Sequence, residues 1–143
     1  MIQATIENFS EKEIACKCCG KVNVSNKGII CLQAFRYMLN NKYKKNIRLN
    51  INSGCRCRKH NKAEGGVEEI RNGKLVTSRH ECDTKKSDAF DLTSPDLDYK
   101  TLYQEAVNSK LFNTVIRYDK QHFVHADTEP RGNFEIKDWA WDK

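Results

Sequence analysis

The sequence predicts an α+β fold in which helices pack on a central antiparallel β-sheet. Two segments carry apolar residues at helical spacing, several short segments alternate apolar and polar residues, and one Asn-Gly pair marks a hairpin. The 143 residues fit one domain, so we expect a single domain over residues 1–143. Because no run reaches about 18 apolar residues, we expect no membrane span.

The helices are predicted from caps and from apolar spacing. Ser10 opens a capping-box pattern, which is typical of a helix start. Ser25 is a second N-cap, and an amphipathic helix is expected over residues 27–41, packed on the sheet. A helical turn is expected over residues 60–64, and a longer helix over residues 97–110.

The strands are predicted where apolar and polar residues alternate. Residues 47–52 alternate strictly and lead into Gly54, which permits a sharp turn. The Asn72-Gly73 pair lies between two short strand-like runs, as in a hairpin. Further strands are expected over residues 89–92, 113–118, 123–127 and 134–136, the last of them at a sheet edge.

Net charge restricts the expected partners. A charge of +6 and a pI of about 8.9 favour anionic partners such as nucleic acid, acidic lipid or a cell-wall polymer. The basic residues are spread along the chain in short runs, which favours a solvated basic face over a nucleic-acid site. Residues 1–8 lack a basic start followed by an apolar stretch, so we expect synthesis as a cytoplasmic product.

The seven cysteines leave two interpretations open. Their number is odd, so at least one thiol stays unpaired within a monomer. Cys16-x-Cys18 and Cys55-x-Cys57 differ from the Cys-x-x-Cys spacing of zinc knuckles, which favours disulfides or packed thiols. A structural zinc site is the alternative.

Two polar segments hold the candidate chemistry. His80 and Asp91 lie at the two ends of a polar loop, and His125 lies in a second polar cluster near the C-terminus. Two imidazoles and one carboxylate make an open zinc site if the fold joins them. Asp127 lies two residues after His125 on the same face of a strand. Arg56 follows a strand and a glycine, where it can clamp a carboxylate; the alternative is that these are ordinary surface residues.

Several short motifs occur in a characteristic order from residue 9 to about residue 127. They are Asn8-Phe9-Ser10-x-x-Glu13, Ser53-Gly54-x-Arg56, His60-Asn61 before Gly65-Gly66, Ser78-x-His80, Ala89-x-Asp91 and Phe123-Val124-His125-x-Asp127. In this order the chain resembles the zinc D-Ala-D-Ala carboxypeptidases and related peptidoglycan peptidases. The resemblance implies the fold that this group shares with hedgehog signalling domains.

The resemblance also implies roles for individual residues. His80, Asp91 and His125 match the family's zinc ligands, for one catalytic Zn2+. Arg56 matches the arginine that holds the terminal carboxylate of the substrate. Ser78 matches a serine that lines the substrate pocket.

The general base is where the chain departs from the family. The family often places a carboxylate three residues before the last ligand, and this chain has His122 there. We therefore expect Asp127 to act as the base, and His122 to stabilise charge or donate a proton. The loop between the first two ligands is longer than in the family. It contains Cys82, which we expect to be bridged to Cys55 or Cys57.

The resemblance implies a zinc-dependent peptidase that hydrolyses peptidoglycan stem peptides. The enzyme implied by the resemblance is a D-Ala-D-Ala carboxypeptidase or an L-alanyl-D-glutamate-type endopeptidase. We expect a monomer without a nucleic-acid partner, acting on the cell wall after phage or prophage-type release, as an endolysin does. The alternative is a catalytically inactive zinc-containing module of the same fold that binds cell wall or protein. A basic nucleic-acid binder with a cysteine knuckle is a weaker alternative.

Overall fold

A five-stranded sheet forms the centre of the computed structural model, which describes residues 9–130 and 132–136. The helices are α1 (Glu11–Ile14), α2 (Asn26–Tyr43), α3 (Arg58–Ala63) and α4 (Tyr99–Ser109). The strands are β1 (Asn50–Ser53), β2 (Glu68–Arg71), β3 (Lys74–Thr77), β4 (Phe90–Thr93), β5 (Thr114–Tyr118), β6 (Phe123–Asp127) and β7 (Gly132–Ile136). The predicted α+β class is confirmed. Both ends of the expected domain over residues 1–143 lie outside the described residues.

The central sheet has the strand order β1-β4-β6-β5-β7. Its first four strands pair antiparallel, as predicted, and β7 lies parallel to β5 at the edge. Strands β2 and β3 form a separate hairpin around Asn72 and Gly73, which have φ of 51° and 76°. Those left-handed conformations are the ones that an Asn-Gly hairpin turn requires, so the predicted hairpin is confirmed.

Helices α1 and α2 begin where their caps predict, whereas α3, expected over residues 60–64, begins at Arg58 after the N-cap Cys57. The Ser10 hydroxyl accepts the Glu13 N–H while the Glu13 carboxylate accepts the Ser10 N–H at 2.7 Å, a complete capping box. Helix α2 follows its Ser25 cap as predicted. Helix α4 was expected to start at residue 97, but Asp98 is its N-cap. The Ser94 hydroxyl accepts the N–H groups of Asp96 and Leu97, in a turn that precedes the helix.

The core lies between the helices and one face of the sheet. Helix α2 buries a stripe of apolar side chains, and Phe35 meets Phe112 edge to face at 5.8 Å between ring centroids. The predicted strand over residues 47–52 is shorter than expected: only residues 50–53 pair with β4, although Ile47 and Leu49 are buried. Within the described part of the chain, no helix has the length and apolar content needed to cross a bilayer.

Candidate metal centre

Three ligand atoms from distant parts of the chain meet in a nearly equilateral triangle. His80 Nε2 lies 3.1 Å from Asp91 Oδ1 and 3.2 Å from His125 Nδ1. His125 Nδ1 lies 3.1 Å from the same Asp91 oxygen. All three side chains are buried. The structure therefore brings together the three residues that the sequence suggested as metal ligands.

Strand pairing and a loop contact place these side chains. Asp91 on β4 pairs directly with His125 on β6, so both side chains project from the same face. His80 comes from the turn before β4 and is tied to the segment after β1. Its carbonyl accepts the Arg56 N–H at 2.7 Å. The centre thus depends on tertiary structure rather than on a local motif.

Hydrogen bonds fix the tautomer of each imidazole. His80 Nδ1 donates to the Gly54 carbonyl at 2.7 Å, which leaves the Nε2 lone pair directed into the triangle. His125 Nε2 donates to Asp127 Oδ2 at 2.6 Å, so Nδ1 is the nitrogen that faces the triangle and can bind a metal once it has lost its proton. A metal-binding histidine typically donates its second N–H to a carbonyl or carboxylate in this way.

The donor set fits a zinc ion. With bonds of about 2.0–2.1 Å, a tetrahedral zinc ion spaces its nitrogen and oxygen ligands roughly 3.3 Å apart. The observed separations of 3.1 to 3.2 Å are close to that value. Three protein ligands are also the number that catalytic zinc sites use, since the fourth position serves water or substrate.

The electrostatics of the centre favour a cation. Burial raises the pKa of Asp91, but His80 and His125 outweigh burial and hold that pKa far below its usual range. Burial lowers the pKa of His80 and keeps that imidazole neutral. Burial also opposes protonation of His125, yet its hydrogen bonds to Asp127 and Asp91 raise its pKa to about 9. A cation at His125 Nδ1 therefore displaces a proton.

A cleft of about 410 Å³ opens beside the triangle. Arg56 reaches it from a buried position, with its Nη2 3.3 Å from Asp91 Oδ2 and its Nε 2.9 Å from the Ser53 hydroxyl. These bonds leave other N–H groups of the guanidinium for a ligand. The residues that line the cleft are Lys17, Asn52, Ser53, Arg56, His60, Glu64, Asp91, Gln121 and Phe123.

Two titratable residues of this cleft were not predicted from the sequence. His60 and Glu64 come from α3 and the residue after it, and His60 Nε2 lies 3.6 Å from Glu64 Oε1. From the sequence, both are placed in a helical turn and His60 also in one of the family motifs, but neither is given a role in the site. Their spacing of four residues, so soon after Arg56, is the signal that would have placed them beside the site.

Two other candidate residues, Ser78 and His122, lie apart from the cleft lining. Ser78 accepts the His80 N–H at 3.1 Å and borders a different cavity, on the side of Lys85 and Glu129. His122 is exposed and stacks on Tyr99, with ring centroids 4.5 Å apart. Their roles in substrate binding and catalysis stay predictions.

Asp127 lies behind His125, on the side away from the triangle. It is fully buried, and its second oxygen accepts the Glu129 N–H at 2.9 Å. This arrangement suits a residue that orients His125. Its predicted role as general base stays a prediction.

The long loop after His80 is held by a disulfide and by a buried carboxylate. Cys82 is bonded to Cys55, one of the two partners expected for it. The fully buried Glu81 accepts hydrogen bonds from Thr77 and Thr84. The loop is therefore held in a fixed position next to His80.

A second group of side chains lies near the loop after His80. The thiols of Cys16, Cys19 and Cys57 lie within 4.8 Å of one another. The Cys57 N–H donates to Cys16 Sγ at 3.3 Å. Burial raises the pKa of the Cys16 thiol, but N–H groups of the cluster outweigh burial and lower it to about 7.

Comparison with known proteins gives one result. A family model described as Peptidase M15 matches residues 7–127, a span that includes the whole triangle and Arg56. No curated protein and no solved structure matches the chain. The match confirms the family resemblance that the motifs suggested.

Proposed function

The chain belongs to the Peptidase M15 family, and on this premise we propose that it is a zinc peptidase that hydrolyses peptidoglycan stem peptides. The observation that carries the proposal is the triangle of His80, Asp91 and His125 beside a cleft with a buried arginine. A peptidase of this kind needs a metal centre and a substrate anchor next to each other. This chain has residues suited to both tasks.

The three triangle residues would hold the metal. When bound, zinc polarises a peptide carbonyl and lowers the pKa of a water molecule. Asp91 supplies the negative charge of the ligand set, and the two imidazoles are held in the required tautomers by Gly54 and Asp127. The protein therefore presents the ligands already oriented, which limits reorganisation on binding.

Arg56 is the proposed substrate anchor. Its guanidinium is held by Asp91 and Ser53, so its direction is fixed before the substrate arrives. A fixed guanidinium pairs with a carboxylate through two parallel N–H bonds. Because Arg56 also contacts a metal ligand, it would hold a peptide carboxylate close to the bond that is cut.

The proton acceptor is proposed from the cleft lining. Asp127 is turned toward His125, so we assign it the orienting role. Among the described residues that line the cleft, Glu64 is the carboxylate besides the ligand Asp91. Its side chain is 54% exposed and lies beside His60. We propose that Glu64 accepts the proton of the attacking water.

The choice of peptidoglycan rests on charge and on the family. A net charge of +6 favours encounter with an anionic cell wall. Stem peptides also carry free carboxylates, which suit the cationic side chains of Arg56 and Lys17 in the cleft. We propose that the protein acts as a monomer on the cell wall, after release of the phage endolysin type.

The proposal is tested by digesting purified peptidoglycan and identifying the released peptides by mass. We expect zinc-dependent cleavage that a chelator stops. Loss of a terminal alanine identifies a D-Ala-D-Ala carboxypeptidase, and new alanyl and glutamyl ends identify an endopeptidase. Protein that binds zinc and cell wall but releases no peptide would support the inactive binding module, which the absence of a carboxylate at position 122 favours.

The proton acceptor is tested separately with Glu64→Gln. We expect kcat to fall about 100-fold with zinc content unchanged, in the range typical of general-base removal. Lys62→Gln is a matched control on the exposed side of the same helix. Equal activity of Glu64→Gln and wild type would exclude Glu64 as the base.

A further inference from the structure

We propose a second metal site, in which Cys16, Cys18, Cys19 and Cys57 bind a structural zinc ion. This site is separate from the peptidase centre and does not depend on the proposed substrate. It joins the loop after α1 to the segment that carries Arg56. The observations that support it are the positions of the sulfurs, the path of the backbone and the hydrogen bonds to sulfur.

The sulfur atoms are already close to zinc geometry. The Sγ atoms of Cys16, Cys19 and Cys57 lie within 4.8 Å of one another. With Zn–S bonds of about 2.3 Å, a tetrahedral ion spaces its sulfurs roughly 3.8 Å apart. Small side-chain rotations therefore close the site. Cys18, the exposed neighbour of Cys19 in the sequence, is the proposed fourth donor.

The backbone after Cys16 forms a tight loop with zinc-knuckle spacing. Cys16 and Cys19 are separated by two residues, which is the Cys-x-x-Cys spacing of zinc knuckles and differs from the Cys16-x-Cys18 spacing considered above. The Cys16 N–H donates to the Lys21 carbonyl, and the Gly20 N–H donates to the Cys16 carbonyl, each at 2.8 Å. Gly20 has a φ of 76°, which lets the chain turn back toward the cluster.

Backbone N–H groups point at the two buried sulfurs. The Cys57 N–H donates to Cys16 Sγ at 3.3 Å, and the His60 N–H donates to Cys57 Sγ at 3.4 Å. A thiolate accepts such bonds better than a neutral thiol does, and zinc binds thiolates. These N–H groups hold the sulfurs in place, as the acceptors Gly54 and Asp127 hold the imidazoles.

Exposure and charge also suit a metal site. Cys16 and Cys57 are buried while Cys18 and Cys19 are exposed, so an ion can enter from solvent. Lysines lie within two residues of the ligands in the sequence, at positions 17, 21 and 59. A zinc ion with four thiolates has a net negative charge, which nearby lysines offset.

The free state of these thiols argues against a disulfide as their main purpose. The structure closes the Cys55–Cys82 bridge but leaves Cys16, Cys18, Cys19 and Cys57 unbonded, although the sulfurs of Cys16, Cys19 and Cys57 lie close together. Two disulfides within the cluster would also remove every thiolate. The cluster therefore supports a metal site in a protein that keeps one disulfide elsewhere.

The test is metal analysis together with cobalt substitution in the full chain. We expect about two zinc ions per wild-type chain and about one in Cys19→Ser, since a ligand is removed. Cys31→Ser is the matched control, because Cys31 is a free cysteine on α2 outside the cluster, and it should keep both ions. Cobalt-loaded protein should show a near-ultraviolet sulfur-to-cobalt band that persists in His80→Ala and disappears in Cys19→Ser.

Two results would overturn the site. One is wild-type protein whose whole metal content is lost in His80→Ala. The other is a thiol titration of freshly purified, denatured wild type, without reductant, that finds fewer than the five free thiols of the structure. Both measurements use proteins that keep the cluster, so they decide the question even if Cys19→Ser fails to fold. Neither depends on peptidase activity.

Discussion

The two candidate metal centres of this protein are built in opposite ways. The His80, Asp91 and His125 triangle is buried and is assembled by strand pairing between β4 and β6. The thiol cluster is half exposed and is assembled by a short loop and one residue from elsewhere, Cys57. The first centre needs the folded sheet, whereas the second needs mainly the turn after α1.

This difference suggests a catalytic role for the triangle and a structural role for the thiol cluster. A buried imidazole and carboxylate set with an open cleft suits chemistry on a substrate. A set of thiolates suits stabilisation of a loop, as in structural zinc sites. The centres meet in the segment over residues 54–57, where Gly54 contacts His80 and Cys57 joins the thiols. The predictions below separate the two.

The largest effect is expected from His80→Ala. Removing this imidazole takes one of three ligands from the triangle and leaves the thiol cluster intact. We expect peptidase activity to fall below detection and zinc content to drop by about one ion per chain. Metal analysis measures the zinc content, and peptidoglycan digestion measures the peptidase activity. His122→Ala, which changes an exposed stacked imidazole, should keep its zinc; equal zinc in wild type and His80→Ala would exclude the triangle as a metal site.

The next largest effect is expected from the double variant Cys55→Ala/Cys82→Ala. The disulfide closes a loop with a sequence separation of 27 residues. Loss of such a link costs about 3–4 kcal/mol of unfolding free energy in the chain-entropy treatment. Urea unfolding measures the loss, and the cobalt band of the thiol cluster should persist. A loss under about 1 kcal/mol would show that the loop is held chiefly by Glu81 and its partners.

A smaller effect is expected from Asp127→Asn. The asparagine still accepts a hydrogen bond but lacks the charge that holds His125 in place. We expect zinc affinity at the triangle to weaken about 10- to 100-fold, with activity recovered by excess zinc. Asp119→Asn, which affects a partly buried pair with Arg117, serves as the control. A fall in kcat that saturating zinc does not restore would instead favour Asp127 as the general base.

The smallest effect is expected from Gly54→Ala. A Cβ at this position would lie 2.7 Å from the Ile14 carbonyl oxygen, so the backbone must shift. We expect a loss of about 1–3 kcal/mol in unfolding free energy, as for other overpacked sites. Gly73→Asn is the control, because nothing lies within 4 Å of its Cβ and asparagine tolerates the left-handed turn. Equal stability of both variants would show that α1 yields easily.

Alternation and caps in the sequence were sufficient for most elements. Strand β6 has its predicted bounds because its polar residues His125 and Asp127 alternate with apolar ones. The start of α4 was misplaced because Ser94 and Asp98 are both good caps, and only tertiary contacts decide between them. Ser94 donates to the Arg48 carbonyl at 2.6 Å, a contact that the sequence does not encode locally.

The site was predictable only in part for a related reason. The triangle residues were found through the order of family motifs, since no local spacing links them. His60 and Glu64 were missed because their proximity to Arg56 depends on the turn after β1. The role of Asp127 behind His125 depends on the direction of one ring, which is a property of the fold.

The segment over residues 54–57 has a consequence for protein engineering. Each of its four residues is tied to a different partner, through a carbonyl, a disulfide, an ion pair and a sulfur contact. A one-residue insertion there would break several of these ties together. The β2–β3 hairpin is the opposite case, because its tip is exposed and Gly73 meets no neighbour. An affinity tag or a fluorophore-labelling sequence is therefore best placed between Asn72 and Gly73.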